Sequence, residues 1–224
     1  MKVAFLHVDD KAMPVEMQRK LAETMIQSVR KNIPNAYLIQ MTDLDTKAFE
    51  VDEIHRLEPF NKFFMSYRLK HLTLLKGEIL LLDTDILVLK DPSSVFEKPF
   101  DVCLTWRHKK IISTSTGYTR GDPSMPYNTG VVFFRTKDFW LDAFDECQKL
   151  EDRHKHWFGD QMAVAKVVEK RRYDVAAIPC DKWNYTPTEP RENLEGKNIV
   201  HFKGTKKKHW MIDEWTRTQH TSTH

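Results

Sequence analysis

Apolar positions in this chain alternate between short continuous runs and helical spacing from the first residues onward. Residues 2–8 (KVAFLHV) form an apolar run that ends in charge, which predicts a buried strand at the start of an α/β fold. Across residues 14–31, apolar side chains recur every four residues from Met17 to Val29, which predicts an amphipathic helix. Residues 36–41 (AYLIQM) predict a second strand. A strand, a helix and a strand in succession favour a parallel sheet.

The same alternation continues along the rest of the chain. Further helices are predicted over residues 61–75, 139–149 and 160–170, and further strands over residues 78–82, 101–106, 127–135, 173–178 and 198–202. We expect one Rossmann-like α/β domain over residues 1–215, with a mostly parallel central sheet and helices on both faces. The polar residues 216–224 are predicted to form a frayed tail.

Composition narrows the class of protein without indicating a reaction. Of the 224 residues, 41% are hydrophobic and 30% charged, which excludes a disordered or fibrous protein. The net charge of +3 gives weak support for a polyanionic partner. Cys103, Cys147 and Cys180 form no CxxC pair, so we expect reduced thiols rather than a zinc ribbon. Because no apolar run suits a signal peptide or a membrane span, we expect a soluble cytoplasmic protein.

The strongest chemical signal is the segment EILLLDTDILVLKD, residues 78–91. An apolar strand brings Asp83 and Asp85 to its carboxyl end, which is the edge of an α/β sheet where ligands bind. Residues two apart point to the same side of a strand, so the two carboxylates can hold a divalent cation that also binds phosphate oxygens. A strand that simply ends in a polar turn is the plainer interpretation.

One metal chemistry that begins with such a strand is that of haloacid dehalogenase-like phosphatases. Their first Asp is followed four positions later by Thr or Val, where this chain has Leu87. Their later acid pair needs an acid at the position of Val164. The sequence therefore disfavours an aspartyl phosphatase. A second metal chemistry that fits an apolar strand followed by two such acids is that of sugar transferases.

Several segments, taken in order, resemble the GT-A fold nucleotide-sugar glycosyltransferases. They are the first strand with Asp9 after it, SYRLKHL (66–72), LLDTDILVLKD (81–91), YNTGVVFFR (127–135), GDQ (159–161), IPCDKWNY (178–185) and IVHFKGTKKKHW (199–210). The likeness covers residues 1–210 and is strongest to the retaining family that includes glycogenin and bacterial galactosyltransferases (family 8-like). It implies a GT-A fold and transfer of sugar from a nucleotide-diphosphate sugar, a UDP-sugar above all, to an acceptor hydroxyl with retention.

The resemblance also implies roles for individual residues. Asp83, Asp85 and His201 would hold Mn²⁺ or Mg²⁺, and Asp160 and Gln161 would be the catalytic pair. Contacts to the nucleotide-sugar would come from His7, Asp9, Arg68, Thr84, Asn128, Thr129, Gly204, Lys207 and Lys208. Plainer interpretations stand beside these roles: an arginine on a helix surface at 68, and an acid in the first helical turn at 160.

The end of the last segment departs from the family pattern HFxGxxKPW. After Gly204 this chain is one residue longer and has no proline, so either Lys207 or Lys208 would meet the diphosphate. The element around Trp183 and Asn184 resembles a late family segment with a structural role. Gly130 would permit close approach of the backbone.

Two other functions remain open at this point. A nucleotidyltransferase normally has a glycine-rich loop after its first strand, and the sequence VDDKAMPVEM here has none. A non-catalytic nucleotide-sugar-binding protein would have no need of the set formed by Asp83, Asp85 and His201. The acceptor is open among a glycan, a lipid-linked sugar, a protein side chain and a modified nucleobase. Residues 107–126, polar with two Gly and two Pro, are predicted to form a mobile lid or acceptor loop.

Overall fold

The computed structural model describes residues 1–9, 13–58, 63–107, 125–155 and 158–220. The strands are β1 (Lys2–Leu6), β2 (Tyr37–Thr42), β3 (Glu53–Arg56), β4 (Ile79–Leu82), β5 (Ile86–Val88), β6 (Val102–Trp106), β7 (Tyr127–Phe134), β8 (Val175–Pro179) and β9 (Ile199–His201). The helices are α1 (Val15–Asn32), α2 (Phe64–Leu72), α3 (Asp138–Gln148), α4 (Asp152–Lys155), α5 (Gly159–Glu169), α6 (Cys180–Trp183) and α7 (Thr205–His220), with a 3₁₀ turn at Ser93–Glu97.

Seven strands form the central sheet, in the order β3-β2-β1-β4-β7-β6-β8. The strand β1 pairs in parallel with both β2 and β4, and β6 pairs in parallel with β8. Within this sheet only β7 runs against its neighbours, β4 and β6. The prediction of a mostly parallel sheet is confirmed. Outside it, β5 and β9 form a two-stranded antiparallel ribbon.

Both faces of the sheet are covered, because successive residues of its buried strands point in opposite directions. Val3 and Phe5 of β1 pack with the apolar side of α1 and with Met211 of α7, whereas Ala4 packs with residues of α2, α3 and α5. Leu21 and Met25 of α1 are fully or almost fully buried, as the four-residue spacing predicts. Helices on both faces are therefore confirmed.

The structure differs from the predictions at the end of the chain. The predicted frayed tail is wrong for residues 216–220, because α7 continues to His220. Contacts with α1 hold the last turns of this helix: the Trp215 indole donates to Gln27 at 2.9 Å, and Lys31 lies over the Trp215 ring and donates to Gln219 at 3.5 Å. The strand β3, at the edge of the sheet, was also not predicted. The domain boundary at residue 215 stays a prediction.

The predicted lid over residues 107–126 falls mostly outside the described residues, which resume at 125. The two described ends of this segment are hydrogen-bonded to each other: Arg107 N donates to the carbonyl of Pro126 at 2.9 Å. In the part of the chain that the structure describes, no helix combines the length and the apolar character needed to cross a bilayer.

Candidate active site

The acidic pair lies at the carboxyl edge of the sheet, where β4 ends. Asp83 and Asp85 follow this strand directly, and β5 begins one residue after Asp85. In the ribbon Ile86 pairs with His201, and Phe202 N donates to the carbonyl of Asp85 at 2.9 Å. Backbone pairing of two segments far apart in sequence therefore places His201 beside the acids.

The three predicted metal ligands converge. The Nε2 atom of His201 lies 2.9 Å from Asp85 Oδ1 and 3.6 Å from Asp83 Oδ2. One ligand atom from each of the three residues can be chosen so that all lie within 4.8 Å of one another. Two carboxylate oxygens and an imidazole nitrogen so arranged fit a divalent cation.

Asp85 has a second cation beside it. The Lys208 ammonium donates to Asp85 Oδ2 at 3.0 Å, while His201 faces Oδ1. Burial alone would raise the pKa of the Asp85 carboxyl, but His201 and then Lys208 outweigh burial and bring that pKa below its usual value. The Asp85 carboxyl is therefore ionised near neutral pH and can bind a cation.

Gly130 on β7 makes room for this cluster. A Cβ atom at this position would lie 2.4 Å from His201 Cε1, 2.6 Å from His201 Nδ1 and 2.8 Å from Asp83 Oδ2. Such distances are far below van der Waals contact, so the imidazole and the carboxylate approach this closely only because position 130 has no side chain.

Arg68 is buried beneath the acids rather than exposed on α2, so the interpretation of a helix-surface arginine is wrong. Its guanidinium donates to Asp83 Oδ1 at 2.9 Å, to Asp160 Oδ2 at 2.6 Å and to the carbonyl of Thr129 at 2.7 Å. Burial alone would lower the pKa of Arg68, but Asp83 and Asp160 raise it above its usual value. Arg68 therefore joins the end of β4 to the start of α5 as a permanent cation.

Asp160 and Gln161 lie in the first turn of α5, and both are buried. Asp160 Oδ1 accepts from the backbone N–H of Gln161 at 2.9 Å, and its Oδ2 accepts from Arg68 and from Thr129 Oγ1. The Gln161 side-chain oxygen accepts from Arg107. Asp160 is thus the first-turn acid of a helix and, at the same time, the centre of a buried polar cluster.

The other predicted contacts to the nucleotide-sugar fall in two places. His7 and Asp9 follow β1, the parallel neighbour of β4, and are joined by a hydrogen bond of 3.1 Å. Asp9 N donates to Thr46 Oγ1 at 3.0 Å. Lys207, in contrast, donates to the carbonyl of Pro187 at 2.6 Å, so of the two candidate lysines it is Lys208 that faces the acids.

The three remaining predicted residues lie on the segments that form the site. Thr84 separates the two acids in sequence, and Gly204 begins the turn into α7 with a φ of 88°, a conformation that suits glycine. Asn128 is buried on β7, and its side-chain oxygen accepts from Gly130 N at 2.9 Å.

Sequence reasoning assigned no role in the site to Asn184, Arg107 or Lys203. Asn184 contacts His201 directly, with its Oδ1 3.0 Å from Nδ1. Burial, and then Arg107, lower the pKa of Lys203 to about 8, against an opposing effect of Cys180 and the two acids. Of these three, only Lys203 has a signal in the sequence, because it stands two residues after His201.

Solved structures of several glycosyltransferases have the same fold. LgtC, a galactosyltransferase studied in complex with donor and acceptor sugar analogs, matches with a TM-score of 0.59 and 12% identity over 99% of this chain and 96% of LgtC. A glycosyltransferase involved in glycosylation of the major capsid of PBCV-1 matches with a TM-score of 0.61 and 13% identity over 97% of this chain and 100% of that one. GlyE of Streptococcus pneumoniae TIGR4 matches with a TM-score of 0.57 and 12% identity over 97% of this chain, which spans 64% of GlyE.

No protein-family model matches the sequence, and no curated protein sequence is significantly similar to it. The TM-scores of these matches show a shared fold, and at identities of 12–13% they show no more than the fold. The sheet order, the helices on both faces and these likenesses together show that the chain has the Rossmann-like GT-A fold of glycosyltransferases.

Proposed function

We propose that the chain is a metal-dependent glycosyltransferase that moves a sugar from a nucleotide-diphosphate sugar, with UDP as the nucleotide, to an acceptor hydroxyl with retention of configuration. The observation that carries the proposal is the convergence of Asp83, Asp85 and His201 at the carboxyl edge of a GT-A sheet. A lectin-like binding protein would not need a cation at this edge, whereas a departing diphosphate does.

Asp83, Asp85 and His201 are the residues that would hold Mn²⁺ or Mg²⁺. When bound, the cation neutralises the charge that develops on the departing nucleoside diphosphate. The chain itself adds a second positive charge, since the Lys208 ammonium lies 3.0 Å from Asp85. A diphosphate at the acids is therefore within reach of Lys208, which we place as the lysine that meets it.

Retention is supported by the state of the buried acid near the site. The Asp160 carboxylate is engaged by Arg68, by Thr129 and by the backbone of Gln161. A carboxylate held in this way is a poor general base for an attacking hydroxyl, which an inverting enzyme needs. We therefore propose attack on the same face as the leaving diphosphate, with Asp160 and Gln161 orienting the donor sugar.

We propose that the nucleoside half of the donor binds at the strand next to β4. His7 and Asp9 follow β1, which pairs in parallel with β4 and so ends at the same edge as the acids. His7 is buried and its ring meets that of Phe49 at 4.9 Å, so the polar groups here are held in place before any ligand arrives. We propose that Asp9 accepts a hydrogen bond from the nucleobase or ribose.

The test does not require a known acceptor, because water can take the place of the acceptor hydroxyl and hydrolyse the sugar donor slowly. The protein is incubated with UDP-glucose, UDP-galactose, their N-acetylated forms and GDP-mannose, with Mn²⁺ or with EDTA, and free nucleoside diphosphate is measured. We expect release from at least one UDP-sugar with Mn²⁺ and none with EDTA. Binding without turnover would identify a nucleotide-sugar-binding protein instead. Pyrophosphate release from nucleoside triphosphates and sugar phosphates would identify a nucleotidyltransferase.

A further inference from the structure

Asn184 connects the candidate metal ligand His201 to the interior of the protein. It follows α6 directly and is 1% exposed. Its side-chain oxygen lies 3.0 Å from His201 Nδ1, on the ring edge opposite the Nε2 atom that faces Asp85. A histidine side chain offers a cation only the nitrogen that carries no proton, so the partner of the other nitrogen decides what the ring can do.

The direction of the hydrogen bonds around Asn184 can be followed from the backbone. The N–H of Gly130 is always a donor, and it donates to the Asn128 side chain at 2.9 Å, so the atom there is the oxygen Oδ1. The Asn184 atom 2.7 Å from that oxygen must therefore be the NH₂ group. The oxygen of Asn184 is then left to face His201, and an oxygen can only accept. His201 must donate from Nδ1.

Neighbouring contacts hold Asn184 in this orientation. Its NH₂ group also donates to Thr105 Oγ1 at 2.8 Å, and that hydroxyl in turn donates to the carbonyl of Asn128 at 2.9 Å. The next residue, Tyr185, pairs with β9 on both sides of its peptide unit: Tyr185 N donates to Ile199 and His201 N donates to Tyr185. The amide of Asn184 is thus fixed by side chains and backbone together.

We infer that Asn184 is a positioning residue, which accepts the Nδ1 proton of His201 and so leaves Nε2 as the nitrogen that can bind a divalent cation between Asp83 and Asp85. The inference rests on the proposed function, in which His201 is a metal ligand. Outer partners of this kind commonly change metal affinity by about 10- to 100-fold when they are removed. Asn128 supports this arrangement, because its side-chain oxygen accepts from the NH₂ group of Asn184 and so sets the orientation of that amide.

The first test measures the tautomer of His201 in the metal-free protein. Two-bond ¹H–¹⁵N correlation spectra of ¹⁵N-histidine-labelled protein, recorded across the pH range in which the protein is folded, show which ring nitrogens carry a proton. The His201 signals are identified by their loss in His201→Gln. We expect the Nδ1–H form in the wild type and a shift toward the Nε2–H form in Asn184→Ala. A wild-type protein in which His201 Nδ1 carries no proton overturns the inference without any variant having to fold.

The second test measures Mn²⁺ binding by electron paramagnetic resonance. Asn184→Ala should bind Mn²⁺ about 10- to 100-fold more weakly than the wild type. Asn184→Asp keeps an acceptor for Nδ1–H and should recover the Nδ1–H tautomer and most of the affinity. Asn193→Ala removes an exposed asparagine farther along the same connection and should change neither readout.

The two tests separate failure of the inference from failure of the proposed function. If the wild type binds Mn²⁺ and Asn184→Ala binds it equally well with an unchanged tautomer, the positioning role is wrong and the metal site stands. If the wild type binds no Mn²⁺, the proposed function and the positioning role are both overturned, whatever tautomer His201 adopts.

Discussion

Two buried histidines show how differently this molecule treats the same side chain. His201 in the candidate site is 4% exposed, and His71 on α2 is 0% exposed. His201 has a partner at each ring nitrogen: Asn184 at Nδ1, and Asp85 at Nε2. Among the described residues, neither nitrogen of His71 has a hydrogen-bond partner, and its ring meets the edge of Tyr67 at 4.6 Å. Burial alone therefore does not mark a functional histidine; converging polar partners do.

The pKa values of buried groups in the two regions differ in the same way. Burial lowers the pKa of His71 to about 4, with smaller contributions from His55 and Lys70, so this side chain is neutral at physiological pH. In the site, ion pairs outweigh burial, and the pKa of Asp85 falls instead of rising. The region around α2 carries a buried polar group at a cost in stability, whereas the site uses its buried polar groups to hold charge in place.

The largest expected effect comes from removing a partner of His201. Asp85→Asn keeps the size of the side chain and removes its charge, so the cation and Lys208 lose their shared carboxylate. Since a catalytic cation contributes several kcal/mol, we expect sugar-nucleotide turnover to fall by about 1,000-fold. Turnover is measured as release of nucleoside diphosphate, with circular dichroism as the check of folding.

Asp91→Asn is the matched control, because Asp91 is an exposed acid beyond the other end of β5 that accepts from Ser93 N. It should retain wild-type turnover. A folded Asp85→Asn protein with wild-type turnover would remove Asp85 from the reaction.

His71 gives the second effect, on stability rather than turnover. Its folded pKa of about 4 lies below the ordinary 6.5, so between these values the unfolded chain binds a proton that the folded protein does not. Stability therefore falls as the pH falls through this window. His71→Leu should remove about 2.5 kcal/mol of the loss between pH 7.5 and pH 4.5.

Urea unfolding at the two pH values gives this difference. The exposed His209→Gln variant serves as the control and should keep the acid sensitivity of the wild type. An equal pH dependence in His71→Leu and the wild type would show that His71 is not the neutral buried group described above.

A smaller effect is expected where the backbone makes room for His201. A Cβ at position 130 would lie 2.4 Å from the imidazole, so Gly130→Ala must displace His201 or Asp83. We expect Mn²⁺ affinity to fall by about tenfold, measured by electron paramagnetic resonance.

Gly77→Ala provides the comparison for this variant. Its φ of 92° makes alanine strained, yet no atom lies within 4 Å of the added Cβ, and it precedes the opposite end of β4. It should cost about 1 kcal/mol of stability and leave Mn²⁺ affinity unchanged. If Gly130→Ala binds Mn²⁺ like Gly77→Ala, the close packing at β7 has no bearing on the metal site.

The smallest effect separates the two lysines of α7. Lys208 donates to Asp85, and Lys207 to the carbonyl of Pro187. Lys208→Glu should weaken UDP binding in the presence of Mn²⁺ by about fivefold, close to 1 kcal/mol for a solvent-accessible ion contact, with a loss that shrinks as salt rises. Lys207→Glu should weaken it less. Calorimetry at two salt concentrations measures UDP affinity for both variants. A larger loss of affinity in Lys207→Glu would show that Lys207, and not Lys208, meets the diphosphate.

The sequence predicts most of the helices and strands, because the spacing of apolar residues that specifies each of them lies within one short segment. The continuous apolar run of β1 and the four-residue spacing in α1 are each visible within one segment, and both elements form within two residues of their predicted ends. The helix α7 was not predicted, because most of its residues are polar and its packing on α1 through Trp215 joins segments far apart in the chain. The short β3 forms at the sheet edge through pairing with β2.

The candidate site was predictable only in part. The spacing of Asp83 and Asp85 after an apolar strand predicts an acid pair, and the resemblance to the GT-A family adds His201, so the meeting of the three could be expected. The contact of Arg68 with Asp160 joins residues 92 positions apart, and that of Asn184 with Asn128 joins residues 56 apart. No local pattern encodes such pairs, because they depend on how α2 packs against α5 and on how α6 packs beside β6, β8 and β9.

The most direct test of the account is the metal dependence of UDP binding. UDP is titrated calorimetrically into the wild-type protein with saturating Mn²⁺ and, separately, with EDTA, after circular dichroism has shown the same fold in both. Because Asp83, Asp85 and His201 offer the diphosphate a cation rather than positive side chains alone, we predict binding with Mn²⁺ and none detectable with EDTA. Equal affinity for UDP in the two conditions would contradict the central claim that these three residues hold a metal ion for the donor.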